Sequence, residues 1–163
     1  MTLVELLRKY RSKGILIDTN LLICYVIGNL SPHHLNNCRA TKSFSVDDFA
    51  LLHNFLAQFR LVVTTPHVLT EVSNLAGKLP ESLHIPFRTV FRAIIDHLSE
   101  ESEPSKAISM KDDFLRLGLT DTAISMIAPG RYLVLTDELA LAGLLNKKGV
   151  HVVNFNHLRS IVW

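Results

Sequence analysis

Three short apolar runs constrain this chain most, because each passes directly into polar residues. Ile15-Leu16-Ile17 runs into Asp18-Thr19-Asn20, Leu61-Val62-Val63 into Thr64-Thr65-Pro66, and Tyr132-Leu133-Val134-Leu135 into Thr136-Asp137-Glu138. Apolar runs this short, bounded by turn formers, read as strands buried on both faces. Residues 150–154 read as a final short strand. The stretches between the runs carry apolar residues at helical spacing. Strands that alternate with helices predict an α/β fold, with a mostly parallel central sheet of four to five strands flanked by helices on both faces. A chain of 163 residues forms one domain, residues 1–163, and can bury a real core.

Before the first strand, Thr2-Leu3-Val4-Glu5 has the form of a capping box, and Leu3, Leu6, Leu7 and Tyr10 share one face. A helix over about 2–12 follows. Its Arg8, Lys9 and Arg11, with Lys13 just beyond, read first as a solvated face and second as an RNA contact. Residues 21–27 read as a buried helix ending at Gly28, and 29–42 as a polar loop whose His33-His34 pair has no zinc-ligand spacing. Ser45 and Asp48 cap a helix over 46–58. Pro66 opens a helix carrying Glu71. Residues 80–118 read as a helical pair, with 100–104 an acidic turn and 105–117 a second helix ended by Gly118. Thr120 then reads as an N-cap, with Asp121 in the first turn of its helix. Thr136-Asp137-Glu138 opens a helix ending near Gly149, and 157–162 is a terminal turn or helix.

The net charge of +2 neither demands nor excludes a nucleic-acid partner. Cys24 and Cys38 form no CxxC pair, which suits a reduced intracellular protein. No targeting segment is visible, and no apolar run approaches the roughly 18 residues of a membrane span. The expectation is a cytoplasmic protein with no membrane partner.

Four acids share one placement. Asp18 and Asp137 lie just past apolar strands, while Glu71 and Asp121 lie in the first turns of helices that begin at the same sheet edge. In open α/β sheets this carboxyl edge is where ligands bind. Each acid also has a plain explanation by itself: a helix cap for Asp18, an exposed helix acid for Glu71, a dipole partner for Asp121. Together they make a carboxylate cluster, and clustered carboxylates raise one another's pKa unless a cation neutralises them. An all-oxygen set suits Mg²⁺ or Mn²⁺. Such a metal can activate water against a phosphodiester. Thr19, Asn20 and Thr136 would orient the carboxylates. With four acids set aside, the net charge of +2 becomes +6 for the remaining surface, which favours a polyanion.

The ordered set Ile17-Asp18-Thr19-Asn20, Thr70-Glu71-Val72, Gly118-Leu119-Thr120-Asp121-Thr122-Ala123-Ile124 and Leu135-Thr136-Asp137 resembles the PIN-domain ribonucleases over nearly the whole chain. The resemblance implies a metal-dependent endoribonuclease acting on single-stranded RNA and leaving a 5′-phosphate. Asp18, Glu71 and Asp121 match the family's acidic positions. The fourth is Asp137 or, by the family's Thr-x-Asp pattern, Glu138. A toxin masked by an antitoxin protein is one branch of the family, and a homodimer is a common assembly. The helix before the first strand and the excursion over 28–45 depart from the compact toxins. A non-catalytic RNA-binding or assembly module and a DNA-directed nuclease are the alternatives.

Overall fold

A computed structural model describes residues 1–162; Trp163 lies outside the described residues. The strands are β1 (Ile15–Ile17), β2 (Val62–Thr64), β3 (Ser99–Glu100), β4 (Leu133–Thr136) and β5 (Val152–Asn154). They form one sheet in the order β3-β2-β1-β4-β5, and every pairing is parallel. The helices are α1 (Leu3–Tyr10), α2 (Thr19–Leu30), α3 (Val46–Leu56), α4 (Pro66–Ala76), α5 (His84–His97), α6 (Ser105–Ser109), α7 (Phe114–Ile127), α8 (Leu139–Lys147) and α9 (Phe155–Val162). The α/β architecture and parallel sheet follow the expectation.

The strand order has one consequence for function. The chain leaves β1 toward β2 on one side and leaves β4 toward β5 on the other. Between neighbouring strands whose connections depart in opposite directions, a crevice opens at the carboxyl ends. β1 and β4 flank that switch point, aligned by Ile17 opposite Leu135. The Asp18 amide donates to the Leu135 carbonyl at 3.0 Å, tying the two strand ends together.

Ile15, Leu16 and Ile17 are fully buried. Each such side chain contributes about 1.5–3 kcal/mol of burial, so the backbone that carries Asp18 is among the most firmly held in the molecule. α2 follows directly. Leu21, Leu22, Ile23, Cys24, Val26 and Ile27 are all buried in it, because α3, α4 and α5 pack around it. The two cysteines are free and buried. α1 and α3 each begin with a capping box, Thr2 with Glu5 and Ser45 with Asp48. Asp48 also pairs with Arg159 at 2.9 Å, fastening α9 to α3.

Several boundaries differ from the sequence expectation. α2 does not stop at Gly28 but runs on to Leu30. Gly28 is there for close approach: a Cβ would stand 2.0 Å from the Phe49 ring. The loop beyond contains a 3₁₀ helix over Pro32–Asn37. The acidic turn begins inside β3, a two-residue edge strand. The single helix expected over 105–117 is instead α6 and the first turn of α7, separated by 110–113. Gly118 does end a helical segment, as the sequence predicts: α7 is two segments that meet at this residue, whose φ of 78° only glycine adopts without strain. Among the described residues, no helix is long and apolar enough to cross a membrane.

Candidate active site

Asp18 is the N-cap of α2 and is only 2% exposed. Its Oδ1 accepts from the Thr19 amide and its Oδ2 from the Thr136 hydroxyl. Thr136 ends β4, and its hydroxyl in turn accepts from the Glu138 amide at 3.0 Å. One hydroxyl therefore orients Asp18 and fixes the turn that starts α8.

Glu71 comes from the middle of α4, which starts after β2 with Thr65 as N-cap and Pro66 in its first turn. Two hydroxyls hold it: Thr19 donates to Oε2 at 2.8 Å, and Thr120 donates to Oε1 at 2.6 Å. Thr19 thus touches both Asp18 and Glu71. The Thr120 contact corrects the cap expected of that residue. The kink at Gly118 already starts the new helical segment, which frees the Thr120 side chain to reach across to α4.

Asp121 lies one residue further along α7 and is half-buried, whereas Glu138 is exposed at the N-cap position of α8. The electrostatics tie them to the others. Burial pushes Asp18 up to about 7, and Glu138 and Asp121 push in the same direction against the Thr136 hydrogen bond. Asp121 is also raised to about 7, by burial and then by Glu138 and Glu71. Glu138 is raised by burial, Asp137 and Glu71. Among the described residues the ion pairs are Arg116–Asp113, Arg131–Glu101, Lys148–Asp113 and Arg159–Asp48. None reaches Asp18, Glu71, Asp121 or Glu138.

Asp137 acts on Glu138 but not on Asp18 or Asp121. Burial raises it, while the Asn20 amide and Arg159 draw it back down. Asn20 donates to its Oδ1 at 3.4 Å, and Asn156 donates to its backbone carbonyl at 2.9 Å. The charges acting on Asp18 and Asp121 come from Glu138 and not from Asp137. Of the two acids that the sequence leaves open at the fourth position, Glu138 is the one whose charge acts on Asp18 and Asp121.

Four carboxylates from four elements therefore act on one another, and among the described residues none makes an ion pair; as a donor set they suit a hard divalent cation. Among the described residues no three His, Cys, Asp or Glu side chains already close on a common ligand point. Glu71 and Glu138 are exposed. Thr120 is the contact that sequence reasoning missed; a hydroxyl next to a candidate ligand is the signal that could have found it. Comparison of the chain with protein-family models, with curated proteins and with solved structures returned no match.

Proposed function

We propose that this crevice binds Mg²⁺ or Mn²⁺ and hydrolyses phosphodiester bonds of single-stranded RNA, the activity that the resemblance to PIN-domain ribonucleases implies. One observation carries the reading. Asp18, Glu71, Asp121 and Glu138 are linked by hydroxyl contacts and by their effects on one another's ionisation, and among the described residues none of them makes an ion pair. Burial raises two of them to about 7, and the neighbouring carboxylates push the same way. A protein keeps such a cluster when its ligand supplies the missing positive charge.

Asp18, Glu71 and Asp121 would hold the ion, which supplies Lewis acidity to the scissile phosphate and a lowered pKa to water. The chain's own part is orientation. Thr136 and the Thr19 amide fix both oxygens of Asp18, and Thr19 and Thr120 fix both oxygens of Glu71. Glu138 is exposed and is the carboxylate left to accept the proton of the attacking water. Attack at phosphorus breaks the P–O3′ bond and leaves a 3′-hydroxyl and a 5′-phosphate.

The test is cleavage of matched single-stranded RNA and DNA oligonucleotides with Mn²⁺ or with EDTA. The expected result is RNA cleavage in Mn²⁺ that EDTA and Glu71→Gln both abolish. RNA left intact in Mn²⁺, or cut equally by Glu71→Gln, overturns the proposal.

A further inference from the structure

The crevice leaves unexplained the basic face of α1 at the opposite end of the sheet. A cavity of about 500 Å³ lies there, lined by Arg8, Arg11, Ser12, Gln58, Phe59 and Arg60. That volume is within the range of small-molecule sites. Arg8 is in the last turn of α1 and Arg11 is its C-cap, where the helix dipole favours cations. That dipole does not account for Arg60, which arrives from a separate element just before β2. The Arg60 amide donates to the Arg11 carbonyl at 2.8 Å, so these two arginines spring from backbone that is fixed side by side.

No acid lines the cavity, and among the described residues Arg8, Arg11 and Arg60 make no ion pair. The one acid of α1, Glu5, is committed to the capping box at the far end of the helix. Lys9 and Lys13 turn away to the Tyr10 ring, at 5.6 Å and 5.8 Å from its centroid, and leave the cavity to the arginines.

We infer that Arg8, Arg11 and Arg60 form a binding site for a ligand carrying two or three adjacent phosphate groups. Guanidinium groups recognise phosphate oxygens in pairs, and three of them match the charge of such a run. The ligand is either a nucleoside polyphosphate or a stretch of nucleic-acid backbone, which present the same chemistry. The site is separate from the carboxylate crevice and does not depend on the activity proposed for it.

Calorimetric titration of the full chain in EDTA, which keeps the crevice free of metal, tests this inference. The probes are inorganic tripolyphosphate, ATP and a ten-nucleotide single-stranded RNA. The expected result is saturable tripolyphosphate binding that weakens about tenfold or more in Arg11→Gln and again in Arg60→Gln. ATP binding tighter than tripolyphosphate identifies a nucleotide ligand. RNA that displaces tripolyphosphate and loses affinity in the same variants identifies the backbone of a nucleic acid. Both variants change exposed side chains, and circular dichroism confirms their fold. Failure of all three probes to bind, or binding equal in the Arg11→Gln/Arg60→Gln double variant, overturns the inference.

Discussion

Replacing Asp18 by Asn should make the metal-free protein more stable, and more so at pH 8 than at pH 5. The folded protein raises this carboxyl from 3.8 to about 7, chiefly by burial. The unfolded chain ionises near the ordinary value, so the folded state loses stability as pH rises from about 4 through 7. Above that range the full cost of about 4 kcal/mol applies; at pH 5 it is less than half of that. Asn has no charge to bury. Its carbonyl can still accept from the Thr19 amide, but its amide nitrogen forces the Thr136 hydroxyl to reverse, at about 1 kcal/mol. The net gain is about 3 kcal/mol at pH 8 and under about 1 kcal/mol at pH 5. In a domain of this size the gain at pH 8 raises Tm by roughly 6–12 °C. Thermal unfolding followed by circular dichroism in EDTA at both pH values reads it directly. A Tm at pH 8 that is unchanged or lowered refutes the reasoning. An equal gain at both pH values shows that charge burial is not its cause.

Glu138→Gln should weaken Mn²⁺ binding more than Asp137→Asn, because Glu138 and not Asp137 acts on Asp18 and Asp121; parallel calorimetric titrations of the two variants give the order. Thr136→Val removes the hydroxyl that both orients Asp18 and accepts from the Glu138 amide. Its cleavage rate should fall about 10–100-fold while the far-ultraviolet spectrum is kept. Gly28→Ala drives a methyl into the Phe49 ring and should destabilise the fold by about 1–3 kcal/mol in urea denaturation, far from the crevice.

The central strands were legible because burial on both faces leaves an unmistakable mark: β1 is an uninterrupted apolar run, and β4 is one up to its last residue, Thr136. β3 left none. An edge strand of two residues, Ser99 and Glu100, needs only backbone pairing, so its side chains carry no apolar pattern. Gly28 was misread. Glycine marks a helix end, as at Gly118, and also a close approach, and only the packed Phe49 ring identifies the second case at Gly28. In the crevice, Asp18, Glu71 and Asp121 could be placed at one edge from topology alone. The choice between Asp137 and Glu138 depends on where β4 stops and α8 starts, a matter of one residue that periodicity does not resolve. The pairing of Thr120 with Glu71 joins two helices 49 residues apart, and no local pattern announces it.

The claim that the carboxylate crevice is a divalent-cation site is tested most directly by Mn²⁺ binding to the purified chain, followed by electron paramagnetic resonance. One tightly bound Mn²⁺ per chain, lost in the Asp18→Asn/Asp121→Asn double variant and competed by Mg²⁺, is the predicted result. No bound Mn²⁺ in the wild-type chain, or the same binding in the double variant, contradicts the account.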